Sequence, residues 1–182
     1  VKPVTLHTER LVLDQPTLDD VDLVTEYCQD PVFEKYMLTP WPYRRSDAEA
    51  FIGTVVPTRW KDDTEYTWAI RLGSDFLGLI GYRTKPHDLG FWLGARHRGN
   101  GYMPEAARAV ADWIFERDTG DIAWECIPGN VASASVARKC GFRYLGEGAS
   151  LYPDRAGAEA TAWRGILSPT DSREPKPGWP IG

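Results

Sequence analysis

The chain predicts a single α/β domain built on a mixed sheet. Three observations carry that expectation. Two strand-like runs, Glu65–Gly73 and Phe76–Thr84, meet across Gly73-Ser74-Asp75, a hairpin signal. Gly101–Asp118 sets Met103, Ala106, Ala107, Val110 and Ile114 at i, i+3, i+4 spacing, the stripe of a long amphipathic helix. Between them, "GFWLGARHRGNGYMPEA" reads as a strand, a glycine loop and a helix start.

The remaining elements follow in order. Leu6–Pro16 alternates well enough for one strand. Thr17–Asp30 reads as a helix capped by Thr17 or Asp19, with Leu23 and Tyr27 on its apolar stripe. Pro40–Arg45 is a rigid aromatic loop. Ser46–Trp60 is a helix in which Ser46 caps and Glu49 completes a capping box. Asp88–Ala95 and Ile122–Ile127 are strands, Asn130–Phe142 a helix ended by Gly141, and Glu159–Leu167 a last strand. Residues 1–168 make the domain. The proline-rich, polar stretch 169–182 is expected to be a mobile or surface-draped tail.

Composition excludes several classes. A net charge of −5 argues against a general nucleic-acid binder and suits a cationic substrate. No apolar stretch approaches the roughly 20 residues of a membrane span, and the first residues lack a signal-peptide apolar core. Cys28, Cys126 and Cys140 are widely spaced, and His7, His87 and His97 form no ligand pair. The expectation is a cytoplasmic, metal-free protein with no membrane or nucleic-acid partner.

The glycine loop raises a chemical question. Arg96 and Arg98 stand beside Gly99 and Gly101, just ahead of a helix whose free N–H groups and dipole favour an anion. A Walker loop needs GxxxxGK[ST], which is absent. The dinucleotide fingerprint GxGxxG breaks, because Gly99-Asn100-Gly101 is followed by Tyr102, Met103 and Pro104. RxxGxG remains (Arg96, Gly99, Gly101), as an anion site or as a solvent-facing turn.

The chain resembles the GNAT superfamily of N-acetyltransferases, in its RimJ/RimL-like ribosomal-protein branch. "TERLVL", the glycine loop, "NVASASVARKCGFRYLGEG" and "AWRGIL" fall in family order over nearly the whole chain. The second element supplies Asn130, Ser133, Val136, Lys139, Gly141 and Phe142. Asp14 departs from the family, which often has an arginine there. The resemblance implies a mostly antiparallel sheet of about seven strands, splayed around an acyl-CoA site and flanked by about four helices. It implies acetyl-CoA as co-substrate, gripped by the amides of about Arg98 to Met103. The implied contacts are Leu93, Arg96, Arg98, Gly99, Asn100, Gly101, Tyr102, Met103 and Asn130, with the Leu93 N–H polarising the thioester carbonyl. A homodimer is a further expectation from the family.

Acetyl transfer needs a proton for the departing thiolate and a neutral amine. Many relatives use a tyrosine as acid where this chain has Ala137. Helical spacing puts Asn130, Ser133 and Ala137 on one face and Ala132, Val136 and Cys140 on the buried stripe. Ser133 is therefore the candidate acid, as in the RimL-like branch, or else a polar first-turn residue behind the Asn130 cap. Tyr144 and Tyr152 are alternative donors. Asp88, where the family often carries a glutamate, is the candidate base or an ordinary strand-start aspartate; Glu125, Glu147 or a water chain are the others. Trp41, Tyr43 and Trp60 are candidates for an acceptor pocket or for core and rim.

The expected activity is transfer of an acetyl group from acetyl-CoA to a primary amine, either a protein N-terminus or a small amine. The alternatives are a non-catalytic acyl-CoA sensor of the same fold and, on a different fold, a dinucleotide-dependent oxidoreductase.

Overall fold

Leu6–Pro16 does not stay one strand. In the computed structural model, which describes residues 1–181, the Thr8 N–H donates to Leu11 O (3.0 Å) and the Leu11 N–H to Thr8 Oγ1 (2.9 Å). The resulting turn splits the run into β1 (Leu6–His7) and β2 (Val12–Asp14). Asp20 accepts the Thr17 N–H (2.8 Å), opening a 3-10 turn ahead of α1 (Val21–Cys28). Asp30 then accepts the Val32 N–H (3.0 Å) and Pro31 fills the first helical position. That starts α2 (Pro31–Tyr36), which is too short to show a period in the sequence.

Ser46 is not a cap. The helix begins one residue earlier, because Asp47 stands three residues after Arg44 and accepts its N–H (2.8 Å). Glu49 pairs with Arg45 instead (2.9 Å). α3 (Arg45–Ala50) passes through a π turn at Phe51–Val55 into α4 (Val56–Lys61). The wider turn accommodates Pro57, which lacks an N–H and crowds the carbonyl four residues back.

The hairpin is as expected: β3 (Glu65–Leu72) and β4 (Asp75–Arg83) turn at Gly73-Ser74. β5 (Asp88–Leu93), α5 (Tyr102–Phe115), β6 (Ile122–Cys126) and α6 (Val131–Lys139) follow. β7 (Arg143–Ala149) was not expected, and β8 (Thr161–Leu167) closes the fold. The eight strands run β1-β2-β3-β4-β5-β6-β8-β7, antiparallel except for β5 beside β6.

Each face of the sheet carries a core. Trp60, Trp68, Ile80, Val110 and Phe142 pack on the face of α5 and α6; Val24, Phe33, Ala48, Ala69 and Leu79 pack on the face of α1 and α3. Burial on both faces is why β3 and β4 read as nearly unbroken apolar runs. The described residues past β8, 168–181, run back to the domain, with Trp179 8% exposed. Among the described residues no helix is long and apolar enough to cross a membrane.

Candidate active site

β5 pairs with β4 along its length, from Arg83↔Asp88 to Gly78↔Leu93. With β6 it pairs only at Asp88↔Ala123 and Leu89↔Trp124. Beyond Leu89 the two strands part. Gly94 N–H donates to Leu77 O on β4 (2.9 Å), so by alternation the Leu93 N–H points into the opening. This is the donor direction expected of Leu93.

Two cavities fill the opening. The inner one, about 260 Å³, is lined by Phe33, Phe91, Leu93, Met103 and Val136. The outer one, about 770 Å³, lies under Arg83, Glu125, Tyr152 and Arg155. They share Tyr36, Met37, Phe91, Asn130 and Ser133. Ser133 therefore stands at their junction.

The glycine loop closes the inner end. Gly99 (φ +81°) and Gly101 (φ +75°) hold left-handed backbone that L side chains rarely adopt. Gly101 O receives the first helical bond, from Glu105 N–H at 3.4 Å. The amides of Gly99, Asn100, Gly101, Tyr102 and Met103 have no acceptor among the described residues, the condition for cradling a phosphate. Asn100 Nδ2 donates to His97 O (3.3 Å) and Arg98 O (3.2 Å), shaping the loop from within.

The two arginines of the loop are otherwise engaged. Arg96 donates to Tyr27 Oη (3.0 and 2.8 Å) and lies toward Glu26. Arg98 lines the inner cavity but donates to Leu93 O (3.1 Å) and pairs with Asp30 (3.4 Å). A third arginine, Arg10, clamps the loop from the β1–β2 turn. It donates to Asn100 O (3.0 Å) and Glu105 (2.7 Å) and covers the Tyr102 ring at 4.8 Å.

Asn130 caps α6, its Oδ1 accepting the Ser133 N–H at 3.3 Å. Ser133 Oγ in turn accepts the Trp124 indole N–H at 3.1 Å. The helix is rotated from the expected stripe: Ala134, Ala137 and Cys140 are buried, while Ala132 is exposed. Ala137, 1% exposed, faces the core rather than the site.

Asp88 does not line either cavity and is 1% exposed. Arg83 reaches it with two bonds (2.7 and 2.6 Å), and Tyr152 Oη donates to both its oxygens (3.1 and 3.0 Å). Arg83 and Tyr152 occupy both of its oxygens, and it is these two residues, not Asp88, that line the outer cavity. Tyr152 is no free acid either: burial and the Asp88 carboxylate, partly offset by Arg83, push its hydroxyl above the usual phenol range. Glu125 is different. It lines the outer cavity, accepts from Ser150 Oγ (2.6 Å) and the Leu151 N–H (2.9 Å), and has no cationic partner among the described residues. Glu147 is exposed on β7, and the Tyr144 ring packs at a tilt against Trp179.

Of the aromatic candidates, Trp60 and Tyr43 are core and Trp41 packs against it; none lines the cleft. The unexpected helix α2 and the residues just after it supply Tyr36, Met37 and Leu38 instead, and its Asp30-Pro31 start was the available signal. Cys126 also lines the cleft, but burial pushes its thiol up to about 12. It holds its proton at neutral pH and is a poor nucleophile. Among the described residues no group of three His, Cys, Asp or Glu could hold a metal ion.

Comparison with known proteins places this arrangement. The acetyltransferase (GNAT) domain matches residues 10–143. The chain is 48% identical to the uncharacterized protein YkkB of Bacillus subtilis (strain 168) over 58 residues, 31% of this chain and 34% of that one. It is 28% identical to the uncharacterized N-acetyltransferase p20 of Bacillus licheniformis over 118 residues, 61% of this chain and 66% of that one. The chain thus spans less than two thirds of the length of either curated relative. Its fold is similar to that of the microcin C7 self-immunity acetyltransferase MccE, solved with acetyl-CoA and AMP (TM-score 0.75, 19% identity, 88% of this chain and 93% of that one). Mycobacterium smegmatis RimJ, solved with CoA-disulfide, is similar too (TM-score 0.75, 16% identity, 92% and 90%). Splayed strands, glycine loop and matched domain agree: the chain belongs to the GNAT acetyltransferase family.

Proposed function

We propose that this protein transfers the acetyl group of acetyl-CoA directly to a primary amine, with Ser133 as the acid and Glu125 as the group that receives the amine. One observation carries the assignment. Ser133 Oγ stands where the two cavities meet and already accepts the Trp124 N–H, so its own proton is free to be donated.

The residues fit acetyl-CoA. The unpartnered amides of Gly99 to Met103 suit a pyrophosphate, and the apolar inner cavity suits the thioester arm. MccE, with the same fold, was solved with acetyl-CoA. The Leu93 N–H serves as donor to the carbonyl oxygen. The amine nitrogen attacks the thioester carbon and the C–S bond breaks. The nitrogen gives its proton to Glu125, the sulfur takes that of Ser133, and solvent in the outer cavity carries the proton from Glu125 back to the serine oxygen. The protonated Cys126 argues for direct transfer over an acyl-cysteine route.

The outer cavity, about 770 Å³, admits a peptide N-terminus or a small amine. Glu34, Glu125 and Asp154 on its walls are balanced by Lys35, Arg83 and Arg155, but Arg83 is paired with Asp88, and Glu125, with no cationic partner among the described residues, is the group that would draw a cationic acceptor. The test is thiol release from acetyl-CoA with N-terminal peptides, polyamines, amino acids and aminoglycosides. Turnover with a primary amine is expected. Tight acetyl-CoA binding with no turnover on any amine would favour the sensor.

A further inference from the structure

We propose that Trp179, beyond the part of the chain that matches the family, is a positioning residue for Ser133; the proposal rests on Ser133 being the acid. Trp124, Gly165 and Tyr144 are register partners in one row across β6, β8 and β7. Gly165 leaves a gap in that row. The Trp179 ring fills it, 5.4 Å from the Trp124 ring and 5.1 Å from Tyr144 between centroids. A Cβ on Gly165 would lie 3.3 Å from both Trp124 and Trp179, so the glycine is what lets the two indoles meet. Trp124 then carries the contact onward, its N–H reaching Ser133 Oγ at 3.1 Å.

The chain is built to bring Trp179 there. Lys176 Nζ donates to Gly141 O and Ser172 O, both at 2.6 Å. Gly141 itself (φ +88°) has the Arg173 Cα only 2.7 Å from where a Cβ would be, so the backbones touch at that glycine. The Trp179 indole N–H is buried with no partner among the described residues, so the side chain acts through its ring and not through a hydrogen bond. The indole contributes ring area against Trp124. That contact fixes the tilt of the Trp124 ring, and so the direction left to the Ser133 proton.

The experiment is a cycle of Trp179→Ala and Ser133→Ala, with Trp179→Phe as the conservative variant. Trp179→Ala is expected to lower kcat roughly 10-fold, since small misplacements of a reacting group are costly, while leaving the acetyl-CoA Kd unchanged. Trp179→Phe should keep most of the activity. On the Ser133→Ala background Trp179→Ala should cost nothing further, because the group it positions is gone. Equal losses on both backgrounds, or full kcat in folded Trp179→Ala, overturn the proposal. Ser133→Ala alone reports on the acid assignment: if it keeps full kcat, that reading fails, and this one with it. Exchange of the Trp124 indole proton, read by NMR in Trp179→Phe and Trp179→Leu, covers the case in which the alanine variant does not fold. Faster exchange in the leucine variant than in the phenylalanine variant supports the contact, and equal protection in both overturns it.

Discussion

Arg83 and Asp88 are register partners on β4 and β5, joined by two hydrogen bonds of 2.7 and 2.6 Å behind the wall of the cleft. We propose that the pair makes Asp88 a support for Arg83 and Tyr152 rather than a group that meets the amine. Asp88→Asn should therefore destabilise the fold by about 3 kcal/mol, the low end for breaking a buried pair because Arg83 keeps some solvent contact. Its pH–rate profile should keep the parent shape. A stable variant with activity lost selectively at low pH would return Asp88 to the role of base.

Glu125→Gln should show that selective loss. Below the acceptor's pKa the amine is protonated and needs a carboxylate to take its proton; well above it the free amine needs no help. The defect in kcat/KM should be about 10²-fold at low pH and shrink as pH rises. A constant defect across pH would assign Glu125 to holding Ser150 and Leu151 alone.

Gly101→Val tests the phosphate cradle. The nearest atom to an added Cβ is an Arg10 nitrogen at 3.5 Å, so space is not the obstacle. The backbone is: φ of +75° is strained for a β-branched residue. The variant should lose about 1–3 kcal/mol of stability and at least ~10-fold in acetyl-CoA affinity by calorimetry. Unchanged affinity in folded protein would remove the loop from the cofactor site.

Arg10→Ala should loosen the same loop from outside, raising the acetyl-CoA Kd several-fold with little change in amine KM at saturating acetyl-CoA. The clamp has a pH signature. Burial raises the Glu105 pKa, but the hydrogen bonds from Thr8 and Arg10 outweigh it, leaving the carboxyl below its usual value. A depressed carboxylate stabilises the fold above its unfolded pKa of about 4.3, and that contribution fades as pH falls through the lower folded value. Denaturant titrations of parent and Glu105→Gln should converge as pH drops below about 4. A gap that persists at low pH would contradict the clamp.

The parts legible in the sequence were those with period or punctuation. Gly73-Ser74 marked the hairpin, the apolar stripe of α5 was regular, and the glycine loop announced its own backbone. Short or irregular parts were not. α2 has six residues, and β7 is an exposed edge strand interrupted by Gly146 and Gly148. The site failed where tertiary contacts decide. Asp88 looks free until Arg83 and Tyr152 close on it, and Ala137 belongs to the site only if α6 is rotated away from its packed face. Glu125 is already a candidate base in the sequence, and only the contacts of Arg83 and Tyr152 with Asp88 set it ahead of Asp88.

The most direct test is Ser133→Ala, with thiol release followed at saturating acetyl-CoA and amine under conditions where chemistry is rate-limiting. The account predicts a fall in kcat on the order of 10²-fold, with acetyl-CoA affinity unchanged and a stability loss of about 1 kcal/mol or less. Full kcat in the folded variant would contradict it.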